Sequence, residues 1–331
     1  MQIIHYCCGS YDGGNYGGVA RYDYHIKLVF PNRKFFRGPT QKQQMIKYLD
    51  KCTEPIVITD NHLSIDIPNK YPCIIVHHGS ALTHAKRDPT WGEPWKSLCC
   101  NGQKKMLSYR NPNNTLIISV SQFCSSEFLK FFPKKYPLFK NILVPHTSEL
   151  DENRYKKNFN NNPTILGNWK DRNKGRDVVI KINQLGIFRF QQLKVYPKNG
   201  NIKQFNNKKQ NIYCNADMFL QLSKSEAGPY AALDALLCGL VVISTNVGLF
   251  YKDVPETCFV KVQWKRMHDL AYVKSRILYG WKNRKTLAAN ARKWYLENCS
   301  FSWWKETMVK TVRDFHDHQY DKQEKPEEVS S

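Results

Sequence analysis

The sequence predicts an α/β chain with two halves, each a doubly wound parallel sheet covered by helices. Continuous runs of Ile, Val and Leu alternate with segments of helical periodicity, which is typical of buried parallel strands joined by helices. The length of 331 residues is enough for about two domains with separate cores. The composition, with 41% hydrophobic and 13% aromatic residues, excludes a disordered chain.

Short apolar runs mark the predicted strands in both halves. Those of the first half are residues 2–6, 55–60, 73–77, 116–121 and 141–145. Those of the second half are residues 164–167, 193–196, 216–222 and 240–245. A first helix is predicted to end near residue 30, and apolar stripes predict further helices over residues 175–185, 229–238, 267–279 and 284–297.

A polar, turn-rich segment over residues 148–163 separates the two halves. Asparagines cluster shortly before Pro163, which is typical of a linker. The sequence therefore predicts a first domain over residues 1–147 and a second over residues 164–300. An apolar-striped helix over 301–320 and a disordered tail over 321–331 are predicted to follow.

The chain is strongly basic. Fifty Lys and Arg against 28 Asp and Glu give a net charge of +22, which favours a negatively charged partner such as a phosphate, a nucleic acid or an anionic membrane surface. Residues 94–126 and 178–216 contain no acidic residue. A solvated basic face is the alternative interpretation of both stretches.

The cysteine pattern favours a reducing compartment. The eleven cysteines include no Cys-x-x-Cys spacing and two adjacent pairs, which suits neither a disulfide framework nor a zinc site. The first ten residues lack the basic region of a secretory signal, and no apolar run approaches the roughly 20 residues of a membrane span. We therefore expect a cytoplasmic protein, either soluble or peripherally associated with a membrane.

The segment over residues 222–248 carries the most specific pattern. An apolar strand leads into a turn with Gly228 and Pro229, and a small-residue helix and a second apolar strand follow. Glu226 is therefore predicted at the carboxyl edge of a parallel sheet, where α/β folds bind ligands. The helix N-terminus beside it is suited to a phosphate.

Asp234 lies eight positions after Glu226, about two turns into the predicted helix. A carboxylate among apolar residues is costly unless a partner satisfies it. Asp234 is thus expected either to face the same crevice as Glu226 or to be a structural acid.

This segment resembles the signature of the retaining GT-B glycosyltransferases of family four, in which two acids flank seven residues and the helix ends in Cys-Gly. Here the acids are Glu226 and Asp234, the second shortened by one methylene. The resemblance implies two facing Rossmann-like domains with a cleft between them, and a C-terminal helix that crosses back. It also implies that Glu226 holds hydroxyls of a nucleotide-sugar donor and Asp234 its ribose. Gly228, Pro229 and Tyr230 would line the same donor site.

Two elements of the first half extend the resemblance. The run from Gly13 to Arg21 follows the first strand and is similar to the Gly-rich turn of the family. This implies backbone contact between the donor diphosphate and Gly17 and Gly18, because glycine lets the N–H groups approach closely. A simple turn is the alternative.

Histidines and an acid end two other predicted strands. His77-His78-Gly79 resembles the family's His element near the transferred sugar, and His78 fits best because it directly precedes the glycine. A capped structural histidine is the alternative. Asp60 and His62 follow another strand and are candidate acceptor contacts.

Residues 164–175 resemble the strand, Gly-Arg, loop and Lys-Gly element of the same family. Lys174 matches the family lysine, which implies that it neutralises the donor diphosphate. Asn168 stands where the family has arginine, so Lys170 or Arg172 is the candidate substitute. Near the C-terminus, Trp303 or Trp304 is predicted to be a packing anchor.

The resemblance implies transfer of a sugar from a nucleoside-diphosphate sugar to a glycan, glycolipid or glycoprotein hydroxyl, with retention of configuration. Glu226, Lys174 and His78 would be the catalytic residues. No cofactor or metal is expected, since the sequence lacks the Asp-x-Asp motif of metal-dependent sugar transferases. The alternative is a basic nucleic-acid-binding protein without catalysis, which the charge favours. Because no helix-turn-helix, zinc-finger or RNP-like string occurs, nucleic acid is not the expected partner.

Overall fold

Each half of the chain forms its own parallel sheet. The computed structural model describes residues 1–9, 17–156, 158–170, 172–193 and 201–321. The strands of the first half are β1 Gln2–Cys7, β2 Lys34–Arg37, β3 Pro55–Asp60, β4 Cys73–His77, β5 Thr115–Ser119 and β6 Lys140–Leu143. The strands of the second half are β7 Thr164–Gly167, β8 Arg189–Gln192, β9 Met218–Gln221, β10 Val241–Thr245 and β11 Val260–Val262. Their spatial orders are β2-β1-β3-β4-β5-β6 and β11-β10-β9-β7-β8.

Helices connect the strands and cover both sheets. Those of the first half are α1 Gly18–Val29, α2 Lys42–Leu49, α3 Ala81–Arg87, α4 Trp95–Tyr109 and α5 Gln122–Phe131. Those of the second half are α6 Arg176–Asn183, α7 Ile202–Asn215, α8 Tyr230–Leu237, α9 Leu270–Lys282 and α10 Arg284–Asn298. The last helix is α11 Phe301–Tyr320. The predicted α/β class with two doubly wound sheets is confirmed.

The central strands of both sheets are fully buried, as their apolar composition predicts. All residues of β3, β4 and β5 in the first sheet and of β7, β9 and β10 in the second are buried. Continuous apolar runs are needed there because helices pack on both faces of a parallel sheet.

The edge strands differ most from the prediction. The strand predicted over residues 193–196 is instead β8, which ends at Gln192. Residues 194–196 lie outside the described part of the chain. β2 and β11 were not predicted. β8 alternates exposed and half-buried residues, so it pairs through its backbone without the apolar run that marks a central strand.

The last helix returns to the first sheet. α11 packs Trp304, Met308 and Val312 into the apolar core that α1 shares with that sheet. The Trp304 indole meets the Tyr22 ring edge-on, with the ring centroids 5.4 Å apart. The predicted crossing back is confirmed, with Trp304 fully buried in the contact and Trp303 at its margin.

No helix within the described residues combines the length and apolar composition that a membrane crossing needs. All eleven cysteines are described, and each is a free thiol.

Candidate active site

Two adjoining cavities lie between the sheets, at the carboxyl ends of their strands. The inner cavity has a volume of about 270 Å³ and is lined mainly by the second half. The outer cavity, of about 850 Å³, is lined mainly by the first half. The residues common to both are Gly17, Gly18, Lys174 and Glu226. These residues therefore form the junction of one continuous cleft.

Lys174 and Glu226 form an ion pair at this junction. Lys174 ends a short 3-10 turn after β7, and Glu226 lies in the loop after β9. Lys174 Nζ contacts Glu226 Oε1, and Ser223 Oγ donates a hydrogen bond of 2.8 Å to the same oxygen. The chain leaves the Lys174 turn through Gly175, whose φ of 73° favours glycine. Both side chains are half-buried and accessible from the cleft.

Two helix N-termini point into the inner cavity. α1 begins at Gly18, with Gly17 as its N-cap, and α8 begins at Tyr230 after Pro229. Neither helix has a side-chain cap, so backbone N–H groups are presented to the cavity together with the positive end of each dipole. Such a pair of helix ends is suited to an anion.

Tyr230 is held in place by an aromatic stack. Its ring stacks on His146 with centroids 4.3 Å apart, and the Arg21 guanidinium lies 4.3 Å from the ring centroid. His146 Nδ1 donates to the Gly228 carbonyl over 2.8 Å, and burial lowers the pKa of His146 well below its usual range. A Cβ on Gly228 would lie 2.6 Å from the His146 ring, so only glycine allows this approach.

A charged network lies beneath the inner cavity. Arg21 donates to Asp234 over 3.1 and 2.7 Å and to Glu149 over 2.6 Å. Lys209 Nζ lies 2.9 Å from Glu149 and 3.2 Å from Asp234, and Ser148 Oγ donates to Asp234 over 2.6 Å. Burial alone would raise the pKa of Glu149, but Arg21 and Lys209 hold that pKa well below its usual range. Two carboxylates are thus matched by two cations.

Asp234 lines the inner cavity, as a ribose contact should, but protein groups already surround it. Each of its oxygens receives two of the donors named above, which fills the roughly four lone-pair positions of a carboxylate.

His78 and Asp60 line the outer cavity together. His78 Nε2 lies 2.8 Å from Asp60 Oδ1, and Asn61 Oδ1 accepts the His78 backbone N–H over 3.2 Å. His77 turns away from the cavity, with its ring 3.9 Å from that of Phe128, so His78 is the histidine that faces the cleft. His62 also lines this cavity, and burial lowers its pKa.

The predicted basic loop is only partly at the site. Asn168 and Lys170 line the inner cavity, whereas Arg172 is exposed and is not among its lining residues. The geometry therefore favours Lys170 over Arg172 as the substitute for the family arginine. Gly13 and Gly14 of the Gly-rich turn lie outside the described residues.

Three buried residues of the site had no role predicted from the sequence: Arg21, His146 and Lys209. Phe205, Lys209 and Tyr213 form one buried stripe of α7 at four-residue spacing. A lysine on the apolar stripe of a helix within an acid-free stretch is the signal that could have identified Lys209. No comparable local signal distinguishes His146.

One family model matches part of the second half of the chain. Residues 194–294 match the family model described as Glycosyl transferases group 1. Comparison with curated proteins finds no significant match.

Solved structures show the same architecture over nearly the whole chain. Sucrose-phosphate synthase from Thermosynechococcus elongatus superposes with a TM-score of 0.70 at 16% identity, over 95% of this chain and 99% of that one. HepE from Anabaena, in complex with UDP-glucose, gives a TM-score of 0.67 at 12% identity, over 95% and 100%. A glycosyltransferase from Rickettsia africae gives 0.63 at 14%, over 95% and 98%.

The fold is therefore that of the GT-B glycosyltransferases, as the resemblance implied. Together, the fold and the match of residues 194–294 to the Glycosyl transferases group 1 model make this chain similar to known glycosyltransferases.

Proposed function

We propose that this chain transfers a sugar from a nucleoside-diphosphate sugar to a hydroxyl group of a glycan, glycolipid or glycoprotein, with retention of anomeric configuration and without a metal. The observation that carries the proposal is the position of Lys174 and Glu226 at the junction of the two cavities. A transferred sugar must contact both substrates, and the junction is where a ligand in one cavity meets a ligand in the other.

The inner cavity is the proposed donor site. The diphosphate would lie between the N-termini of α1 and α8, against Gly17, Gly18 and Lys174. Lys170 adds a further cation on the side where the family has arginine, beside Asn168. The base and ribose would occupy the interior, which is lined by the aromatic rings of Phe205 and Tyr213.

Asp234 remains one of the proposed donor-site residues, and its contacts indicate that it positions Arg21. Because its oxygens are occupied by Arg21, Ser148 and Lys209, it fixes the Arg21 guanidinium beside the α1 N-terminus. A ribose hydroxyl can bond to Asp234 only by displacing one of these donors.

Uridine diphosphate sugars are the first donors to test. HepE was solved with UDP and with UDP-glucose, and the pneumococcal O-GlcNAc transferase GtfA was solved with UDP and GlcNAc. Both share the fold of this chain at 12 to 13% identity.

In the proposed reaction, the bond between the anomeric carbon and the phosphate oxygen breaks, and the acceptor oxygen bonds to that carbon on the same face. The acceptor proton moves to the departing phosphate oxygen. Lys174 and the two helix ends stabilise the negative charge that develops on the leaving nucleoside diphosphate. Glu226, oriented by Ser223 and Lys174, accepts hydrogen bonds from the sugar hydroxyls.

The outer cavity is the proposed acceptor site. His78 lies beside the junction and would contact the transferred sugar, while Asp60 and His62 line the wall where an acceptor would enter. Trp91 and Trp95 also line this cavity, and flat rings of this kind pack against sugar faces.

Lys174→Ala and Glu226→Gln test the proposal. We expect Lys174→Ala to lower kcat about a hundredfold or more, because it removes a cation from the leaving group. Glu226→Gln should lower kcat/KM at least about tenfold, since it exchanges a charged hydrogen-bond acceptor for a neutral amide. Hydrolysis and transfer are measured across UDP- and GDP-sugars, with thermal shift as the binding readout.

Lys181→Ala and Glu256→Gln are the matched controls, because both side chains are exposed and lie outside the cavities. Full activity of both site variants, in proteins that unfold like the wild type, would refute the assigned roles.

A further inference from the structure

A line of buried polar side chains lies behind His78. Asp60, which holds His78 Nε2, ends β3; Asp23 lies on α1 and His5 on β1. His5 Nε2 lies 3.1 Å from Asp23 Oδ1, and Asp23 and Asp60 are near enough for each carboxyl group to affect the pKa of the other. Asp23 and His5 are at most 1% exposed and Asp60 is 4% exposed. The line therefore runs from strand β1 inside the first sheet to Asp60 and His78 at the wall of the cleft.

Two oxygen atoms in this line lack a hydrogen-bond donor. Asp23 Oδ2 and Asp60 Oδ2 are both buried, and among the described residues neither has a donor at hydrogen-bond distance; the Cys7 thiol is the neighbouring donor group of Asp23. Two ionised carboxylates at this distance would repel each other in a medium where charge is costly. A single proton between the two groups gives one a donor and the other an acceptor, and it removes one of the two charges.

The tautomer of His5 is fixed from its other side. Arg33 Nε donates to His5 Nδ1 over 3.2 Å, so the ring proton lies on Nε2 and is donated to Asp23 Oδ1. His5, Cys7 and Asp23 also place three possible metal-ligand atoms within 4.8 Å of one another. His5 Nε2 has no lone pair for a metal in this tautomer, which favours a proton over a cation in the cluster.

We infer that Asp23 and Asp60 share one proton, and that this linked pair is a positioning device for His78. Asp60 Oδ1 accepts the N–H of His78 Nε2, which leaves Nδ1 of His78 to accept a hydrogen bond from a substrate hydroxyl. Asp23 does not line the cleft and acts only through Asp60. The inference rests on the proposed function only for the role of His78.

The electrostatic surroundings agree with a shared proton. Burial raises the pKa of Asp23 to about 7, and burial together with the Asp23 charge raises the pKa of Asp60 to about 6. Arg33 is the permanent positive charge near the pair, and the His78 ring contacts Asp60 directly. The other titratable groups that face the pair are neutral at pH 7: His5, Cys7, Cys8, Tyr22, His62 and Tyr230.

Asp23→Asn mimics the proton-linked pair. Its amide N–H can donate to Asp60 Oδ2 while its carbonyl oxygen accepts from His5, so every partner is kept without a titrating proton. Asp23→Ala removes both contacts. Asp23→Asn/Asp60→Asn replaces both carboxyl groups by amides. If one amide oxygen accepts from His5 and the other from His78, the two amide N–H groups face each other and at least one of them has no acceptor.

The first test needs no substrate. The pKa values of the folded pair lie above the usual value for Asp in the unfolded chain. The bound proton therefore stabilises the folded state fully below about pH 4, and this stabilisation is lost as the pH rises through about 7. The unfolding equilibrium constant of the wild type, relative to that of Asp23→Asn, should therefore rise with pH over this window, by up to about tenfold per pH unit. Infrared spectra should show a protonated-carboxyl band in the wild type that is missing in Asp23→Asn.

Asp314→Asn, an exposed position, is the control and should show neither effect. Equal pH dependence of the wild type and Asp23→Asn, with no protonated-carboxyl band, would overturn the inference. So would loss of wild-type stability on addition of a chelator, because the cluster would then hold a metal.

The second test measures positioning. Asp23→Ala should lower kcat/KM about tenfold, the value of one lost hydrogen bond to the site, and Asp23→Asn should restore most of the loss. The double amide variant should behave like Asp23→Ala. If the pH-dependent stability and the infrared band are as expected but Asp23→Ala keeps full activity, the positioning role is wrong. If neither the wild type nor any variant transfers sugar, the proposed function fails and the shared proton stands.

Discussion

The two sides of the cleft bury a pair of carboxyl groups each, and they neutralise them differently. Under the inner cavity, Asp234 and Glu149 face two cations, Arg21 and Lys209. Behind the outer cavity, Asp23 and Asp60 face each other, with no salt bridge to Lys or Arg among the described residues. Burial costs are similar, but one pair is compensated by permanent charges and the other requires a proton.

The difference follows from what each pair connects. The inner network takes Arg21 from α1, Ser148 and Glu149 from the segment between the halves, and Lys209 and Asp234 from α7 and α8. It therefore ties the two halves together beneath the donor site. The outer pair lies within the first half and affects only the geometry around His78.

Among these variants, Arg21→Ala should cause the largest loss of stability. It leaves Asp234 and Glu149 buried with one cation between them, and removing one partner of a buried ion pair costs about 3 to 5 kcal/mol. We expect the free energy of unfolding, measured in urea, to fall by that amount at pH 7. The loss should be smaller at pH 4, where protonation can relieve the uncompensated charge.

Arg176→Ala provides the reference, since this arginine starts α6 on the surface and should change stability by less than about 0.5 kcal/mol. An equally small loss for Arg21→Ala would mean that water or Lys209 compensates both acids, and the two carboxyl pairs would no longer differ in kind.

The same chemical change should have opposite effects in the two pairs. Asp234→Asn turns an amide N–H group toward Arg21 or Lys209, so donors face donors and stability should fall by about 1 to 3 kcal/mol at pH 8. Asp23→Asn at the same pH should be neutral or stabilising, because it supplies the donor that the wild type loses. Parallel urea titrations decide the matter: effects of the same sign and size would contradict the assignment of a proton to the outer pair.

Calorimetry with two nucleotides sharpens the role of Asp234. If it acts by fixing Arg21, Asp234→Asn should weaken UDP and its 2′,3′-dideoxy analogue by the same factor, about tenfold for one disturbed charged contact. A loss confined to UDP would instead show that the ribose displaces Ser148 or Lys209 and bonds to the carboxylate directly, as the family resemblance implies.

Local patterns in the sequence predicted the elements that carry the donor site. The apolar run before Glu226, the Gly228-Pro229 turn and the small-residue helix each have a local physical cause, and the structure has strand β9, the turn and α8 in that order. Lys174 was identified through the resemblance of its strand, loop and Lys-Gly segment to the family element, not from a local physical cause. Strand β8 was misplaced because an edge strand needs no apolar run.

Long-range partners could not be predicted, because nothing local marks them. Asp234 was expected to need a partner, but its main donor, Arg21, lies 213 residues away in the sequence. Asp23 appears in the sequence as an ordinary acid on a helix, and only its burial against Asp60 gives it a role. Lys170 and Arg172 are equally good candidates in the sequence, because both are basic residues of the same loop. Only the path of the loop shows that Lys170 lines the inner cavity and Arg172 does not.

Asp253 is a half-buried carboxyl group outside both pairs and should show the smallest effect. It lies in the second half and accepts the Gln122 backbone N–H at the start of α5 with both oxygens, each at 3.1 Å. Burial raises the pKa of Asp253 to about 6, so its charged form is compensated only in part. Since Asn serves helix N-termini as well as Asp does, Asp253→Asn should change stability by less than about 0.5 kcal/mol at pH 7, and Asp253→Ala should cost about 1 kcal/mol.

The sign of the pH effect follows from the raised pKa of Asp253: the stability of the wild type relative to Asp253→Asn should fall between about pH 4 and 6 and stay level above. Urea titrations at pH 4, 6 and 8 measure both quantities. A loss for Asn as large as that for Ala would show that the negative charge itself is required, and Asp253 would then join the charge-matched inner network rather than the proton-dependent pair.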